Sequence, residues 1–410
     1  MSRPRQRTPS TRTPRTGGAQ PKLLRRLNAT LVLDALRASG PMRVSDLVDQ
    51  TGLSRPTIDA VADELIGLGW VAEAVSHPEG QRGRPARRLV FRPDAGYVLG
   101  LDIGEHTIRC AVADLRGDII TEQRQELQGL DGPARLVVTR QIARTTLKTA
   151  RLQLADLLGA CVGCTGGIDP KTGEVLFTSA FPGLEQVKLR SIMQRSLGCP
   201  VVAENDCNLA VVAERWRGIA TDTDDVVCVL ASERMGAGIV IDGRLVRGHA
   251  GVAGEMPFLG AYEQESGAEG IAQLTRELAT KALANGADGT LKELAAGEPH
   301  RISAETVFAA ARAGDPVAID VIDRSLQHAG PAIAALALVL NPELIVIGGG
   351  IANAGELITE PLRRQLAHMA RLPPRLEAST LGDHGVVIGA VRHALDDVEP
   401  RLLDRIENAA

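Results

Sequence analysis

From Tyr97 onward, short apolar runs rich in Val, Ile and Gly alternate with longer stretches of helical period, and this alternation restricts the fold more than any other feature. A strand read as one continuous apolar run is covered on both faces, and the helices between the runs must do the covering. YVLGLDIG and TIRCAVADLRGDII read as a strand hairpin with turn residues at Leu115–Asp118. A helix is expected at about 133–156, a strand at 158–164, a passage from strand into helix in PVVAENDCNLAVVAERW, another strand pair in DDVVCVLASERMGAGIVIDGRLV, and a long helical stretch through 303–341. The period alone gives an α/β fold of two lobes.

A chain of 410 residues exceeds one simple domain, and 44% apolar residues supply real cores. Aromatics are only 2%, so a ligand site must rely on hydrogen bonds more than on ring stacking. No apolar run reaches the roughly 18 residues of a membrane span, and the N-terminus has no apolar signal core, so a cytoplasmic, membrane-free protein is expected. Cys161 and Cys164 form a C-x-x-C, but residues three apart on a strand face opposite ways and no second Cys/His pair follows at zinc spacing. They read as core thiols.

Charge divides the chain. Residues 1–92 hold sixteen Arg and Lys against eight Asp and Glu, a net of +8; the whole chain is −4, so residues 93–410 carry −12. A basic head on an acidic body points the head alone at a polyanion. Residues 1–20 carry five arginines and almost nothing apolar, as expected of a disordered basic tail. Residues 21–93 then show three helices. LLRRLNATLVLDALRASG stops at Gly40, RVSDLVDQTG at Gly52, and SRPTIDAVADELIGLG starts with Ser54 as N-cap and Pro56 in its first turn. Ile58, Val61, Ala62, Leu65 and Leu68 form the buried stripe of the third helix, leaving Arg55, Thr57, Asp59 and Ala60 outside near its N-terminus. In a helix-turn-helix that end reads base edges in the major groove. WVAEAVSHPEGQRGRPARRLVFRP then reads as two strands around a wing, with Arg82, Arg84 and Arg87 in a thin segment suited to a narrow minor groove. The candidate DNA contacts are Ser54, Arg55, Thr57, Asp59, Arg82, Arg84 and Arg87.

Six stretches of the body occur in a fixed order: GLDIG…AVADLRGDII, TGGIDPKTGEVLF, AENDCNLAVVAE, GAGIVIDGRLVRGHAGVAGE, NPELIVIGGGIANAGEL and LGDHGVVIGAVRHAL. Together they resemble the ROK family (repressors, open reading frames, kinases), over about 97–395, and the head resembles that of the family's regulator branch. The resemblance implies a two-lobed actin-like ATPase/sugar-kinase fold over 97–400. One lobe would comprise about 97–205 with the C-terminal helix at about 385–400, and the other about 206–384.

Position by position, the resemblance implies a changed cleft. Family kinases read roughly D-x-G-G-T in the first phosphate loop; here Asp102 and Gly104 are followed by Glu105 and His106. The second loop, G-T-G-x-G in kinases, is ASERMGAG, with Ser232, Glu233 and Arg234 before Gly236 and Gly238. An added acid in each loop is expected to repel phosphate oxygens, and no nucleotide cofactor is expected. Gly348, Gly349 and Gly350 suit a tight strand-to-helix turn. The sugar end is better kept: Asn205 and Asp206 match the family's sugar-hydroxyl contact and catalytic base, and Glu255 matches the Glu of E-x-G-H. Pro257 and Phe258 replace that motif's Gly and His, and Glu269 matches a further sugar ligand loosely. LGAYEQESGAEGIAQ has no cysteine where the family places its zinc thiolates, so no metal is expected.

These features lead to a sugar-responsive DNA-binding transcriptional regulator, a repressor, with a vestigial base at Asp206. Its expected partners are a palindromic operator in double-stranded DNA and a sugar or sugar-phosphate effector, with assembly as a homodimer or homotetramer. Two other readings stay open: an active ATP-dependent sugar kinase with a DNA-binding head, and a constitutive DNA-binding protein with a vestigial pocket.

Overall fold

A computed structural model describes residues 19–74, 87–127, 129–178, 180–256, 269–296, 298 and 301–408. The chain divides into two compact units, Met1–Ala95 with Val398–Ala410, and Gly96–Asp397.

In the first unit, α1 (Ala19–Ser39) is followed by β1 (Met42–Arg43), α2 (Val44–Thr51), α3 (Arg55–Gly67), β2 (Val71–Glu73) and β3 (Arg88–Phe91). The strands form an antiparallel sheet in the order β1-β3-β2. The boundaries follow from local chemistry. Gly52 ends α2 at φ 71°, which a glycine adopts without Cβ strain, and the Ser54 hydroxyl caps α3 by accepting from the Thr57 amide. Ala29, Val32 and Leu36 of α1 close over Leu47, Ile58, Ala62 and Leu65, all fully buried. The expected basic tail, residues 1–20, falls almost wholly outside the described residues. Residues 398–400, expected at the end of the body, instead belong with the rest of the C-terminal segment to this unit: Arg37 of α1 hydrogen-bonds Glu399, and Arg26 meets Asp404 at 3.1 Å.

The second unit opens with β4 (Tyr97–Ile103), β5 (Thr107–Asp114) and β6 (Ile119–Glu126). Next come α4 (Gly132–Thr149), β7 (Leu157–Cys164), β8 (Gly167–Ile168), β9 (Val175–Phe177), α5 (Leu189–Leu197), β10 (Val201–Asn205) and α6 (Asp206–Arg217). A second run holds β11 (Val226–Leu230), β12 (Gly236–Ile241), β13 (Arg244–Leu245), α7 (Ile271–Ala284), α8 (Thr290–Leu294), α9 (Ala304–Arg312) and α10 (Pro316–Leu340). It closes with β14 (Leu344–Gly348), α11 (Glu356–Met369), β15 (Arg375–Ala378) and α12 (Gly385–Asn408).

Two five-stranded sheets result, ordered β10-β7-β4-β5-β6 and β13-β12-β11-β14-β15. They share one plan. Three parallel strands, β10-β7-β4 or β15-β14-β11, are continued by an antiparallel pair, β5-β6 or β12-β13. Two details differ from the sequence reading. TIRCAVADLRGDII is two strands, because Gly117 (φ +86°) turns the chain back at the expected Leu115–Asp118 turn. The stretch 303–341 is two helices, broken at Gly314 (φ +84°) and restarted by Asp315, whose carboxylate caps α10. All six cysteines are free and buried, Cys161 and Cys164 among them. Among the described residues, no helix is long and apolar enough to cross a membrane.

Candidate functional site

The C-terminal ends of parallel strands from both sheets converge on one cleft, the place where open α/β sheets bind ligands. A cavity of about 220 Å³ lies there, lined among others by Asp102 of β4, Thr165 after β7, Asp206 at the start of α6, Glu233 and Arg234 after β11, and Gly349 after β14. That is smaller than the roughly 300–1,000 Å³ of drug-sized sites, and of the expected sugar contacts only Asp206 lines it; Asn205 and Glu255 do not. A larger concavity, about 950 Å³ between α4 and α5, is walled by Arg140, Arg144, Lys148 and Arg195 and contains no carboxylate to hold a diol.

At one end of the cleft the chemistry is carboxylate. Asp206 accepts from the Thr165 hydroxyl at 2.7 Å and the Cys207 amide at 2.9 Å. Asn205, beside it, is spent largely on the fold. Its Oδ1 caps α6 through the Asn208 amide (3.1 Å), while Nδ2 donates to the Gly166 carbonyl (3.0 Å) and to Glu255 (3.1 Å). Both amide donors are thereby committed, and one Oδ1 lone pair remains. Asn205 donates to Glu255 Oε1 and so orients that carboxyl. Burial and then the neighbouring Asp206 charge push Glu255 up to about 7 and Asp102 up to about 7, and burial also raises Asp206. Three carboxyls compete for negative charge here, and hydroxyl donors would relieve them. Glu269 pairs by backbone with Arg234 of the second loop. Pro257 and Phe258 lie outside the described residues. Thr165 was not visible as a site residue in sequence, since nothing local marks a threonine that will orient a carboxylate 41 positions away.

At the other end the altered loops meet each other. Glu105 faces Arg234 at 3.7 Å and His106 faces Glu233 at 3.6 Å, while Arg276 of α7 grips Glu233 with two bonds of 2.7 Å. Burial works against the Glu233 charge, but Arg276 and His106 outweigh it and hold the carboxyl at about 2. Beside Glu233, His106 is raised in turn. This corrects the expectation of phosphate repulsion. Each added acid has its own base, so a paired, cross-linked set of side chains along the cavity wall, rather than net negative charge, changes this end. The retained glycines have packing reasons: a Cβ on Gly238 would lie 2.0 Å from the Cys207 carbonyl, and Gly349 turns the chain at φ +76°. Among the described residues, no group of three or more His, Cys, Asp or Glu is arranged to hold a metal ion.

The ROK family profile matches residues 98–397, almost three quarters of the chain. The chain belongs to the ROK family. The IclR helix-turn-helix profile matches residues 27–74 of its head. Over 92% of its length this ROK chain is 27% identical to the xylose repressor of Caldicellulosiruptor bescii, covering 97% of that protein. A solved ROK family transcriptional regulator, a homologue of the E. coli MLC protein, has the same fold (TM-score 0.75, 24% identity, 94% of this chain and 99% of that one). A ROK glucokinase from Streptomyces griseus, solved with glucose and AMPPNP, covers 73% of the chain at 27% identity, with all of its own length and a TM-score of 0.66.

In the head, α2 and α3 form the helix-turn-helix pair. Arg55 stands exposed at the N-terminal end of α3. Ser54 and Thr57 are occupied with the cap, their hydroxyls 2.8 Å apart. Asp59 lies within 3.9 Å of Arg55 and 3.6 Å of Arg87. Arg87 is bound to Asp63 at 2.5 Å and Glu73 at 2.7 Å, tying α3 to β2. Three carboxylates around one guanidinium make Arg87, an expected DNA contact, a brace between α3 and β2. Arg82 and Arg84 lie outside the described residues.

Proposed function

We propose that this ROK protein is a sugar-responsive, DNA-binding transcriptional repressor whose kinase-like body binds a sugar effector without phosphorylating it. One observation carries the reading. The carboxylate end of the cleft keeps Asp206 and Glu255 as acceptors for hydroxyl donors, while at the phosphate end the loops are altered and joined to each other by Glu105–Arg234 and His106–Glu233–Arg276. Asp206 and Glu255 receive sugar hydroxyls, and Asn205 and Thr165 position them. The relatives agree with a regulator's role, and Arg55, Arg82 and Arg84 are the proposed contacts to a two-fold operator read by paired heads. Sugar binding selects a closed cleft, and α12, which lines the cleft with Gly385 and Val386 and ends in the head, is the segment through which closure would alter operator affinity. A coupling of about 1–3 kcal/mol is typical of such linkage.

Calorimetry with D-xylose, D-glucose and N-acetyl-D-glucosamine, each with and without ATP and Mg²⁺, tests the reading. The expected outcome is saturable binding of at least one sugar, unaffected by ATP and without ADP release. The retained Asp206 favours a second reading, an active kinase with a DNA-binding head. ATP-dependent sugar phosphorylation that disappears in Asp206→Ala would establish that reading and end the first.

A further inference from the structure

The first helix of the head is apolar on two opposite sides. Ala29, Val32 and Leu36 face the head's core with no exposed surface, whereas Leu23, Leu24, Leu27 and Leu31 remain 56%, 57%, 50% and 44% exposed. Leu24, Leu27 and Leu31 follow the 3-4 spacing of a helix-helix seam and lie about 180° around α1 from Ala29 and Leu36 at 100° per residue. The C-terminal segment does not cover them: its ion pairs with Arg26 and Arg37 lie on a third face.

We propose that this leucine seam is where the heads of two copies of this chain pair, α1 against α1 of the second copy and antiparallel. The inference deepens the repressor reading, since a two-fold operator needs two heads held in fixed spacing. Charge sets the direction. Asp34, which continues the seam toward the C-terminal end of α1 and lies 3.7 Å from Arg37 of the same helix, would still meet its own copy in a parallel pair. Antiparallel packing instead brings it to the partner helix's N-terminal end, which carries no acid in its first turn and the positive end of the dipole. Size sets the strength. The seam runs roughly 10 Å from Leu24 to Leu31, and four half-exposed leucines per copy bury on the order of 500 Å². A stable stand-alone dimer needs about 1,200 Å² or more. Head pairing therefore depends on a tether elsewhere that raises the local concentration of the second head.

Because all six native cysteines are buried, an introduced surface thiol reports contact between copies. Leu27→Cys, in the full chain without DNA or sugar, is expected to form a disulfide-linked dimer under mild oxidant at least about tenfold faster than Gln50→Cys. Gln50 is exposed on α2 of the same head and experiences the same tethering. A mixture of Leu24→Cys and Leu31→Cys chains should cross-link faster than either alone. Equal rates for Leu27→Cys and Gln50→Cys would overturn the seam, and Leu24→Cys linking to itself as fast as the mixture would overturn the antiparallel order. Thermal unfolding of each variant confirms that the head is folded. The readout is independent of DNA and sugar binding, so failure here leaves the repressor reading standing and the reverse also holds.

Discussion

The two ends of the body's cleft have met the same problem, ionisable groups out of bulk water, with opposite solutions. At the carboxylate end, Asp206 accepts from a hydroxyl and an amide, and burial together with the Asp206 charge holds the protons of Asp102 and Glu255 up to about 7, against the pull of Arg109 on Asp102. At the phosphate end each acid has a base, and Glu233 is held down at about 2. Unneutralised charge is costly and persists where a ligand can use it, whereas a neutralised network is finished without one. The comparison assigns the proposed ligand contacts to the first end and a built-in contact between loops to the second.

Removing the ligand-facing acid should therefore have the largest effect. Asp206→Ala is expected to weaken sugar binding by about 100-fold or more, the loss of charge-assisted hydrogen bonds worth roughly 1.5–3 kcal/mol each. Glu105→Ala, at the other end, should change it by less than about threefold. Calorimetry on the two variants decides; equal losses would erase the distinction between the ends.

The pH dependence sharpens the same contrast. A carboxyl whose folded pKa is raised binds its proton more tightly in the folded than in the unfolded chain. Its contribution is fully present below the ordinary range near 4 and is lost as pH rises through about 7 for Asp102. Asp102→Asn removes that cost. Its stability relative to the parent protein should be more favourable at pH 8 than at pH 5 by about 2–3 kcal/mol, the difference shrinking toward zero only below about pH 4. Denaturant unfolding at the two pH values checks the sign, and a pH-independent difference would mean the carboxyl is not held up by its surroundings.

How much of this was legible beforehand depended on distance along the chain. The caps at Gly52 and Ser54, and the two-lobed alternation itself, are decided within a few residues, and sequence carried them. Partner choice is decided by the fold. Glu105 meets Arg234, and Glu233 meets Arg276, 43 positions on, so two acids that read as repulsive turned out to be neutralised. Arg87 looked like a free wing arginine because Asp63 and Glu73 are joined to it only once the strands are formed. Asn205 illustrates the subtler case: an N-cap and a sugar ligand call for the same amide, and only the geometry shows that the cap has taken an Oδ1 lone pair while the Gly166 carbonyl and Glu255 have taken both donors.

The smallest expected effect lies in the loop contact itself. Glu105 and Arg234 are partly exposed and 3.7 Å apart, so their coupling should be modest, about 0.5–1 kcal/mol in a double-mutant cycle of Glu105→Gln and Arg234→Gln, and it should shrink in 0.5 M salt. The exchange Glu105→Arg with Arg234→Glu should recover most of what either single reversal loses, because the pair needs opposite signs rather than a particular order. Glu233 and Arg276 offer the internal standard. Their bidentate, more buried bond should couple more strongly and resist salt better than the outer pair. If the outer pair shows no coupling while the inner one does, then Glu105 lies in the first loop without bracing it, and the contact between the loops narrows to His106 and Glu233.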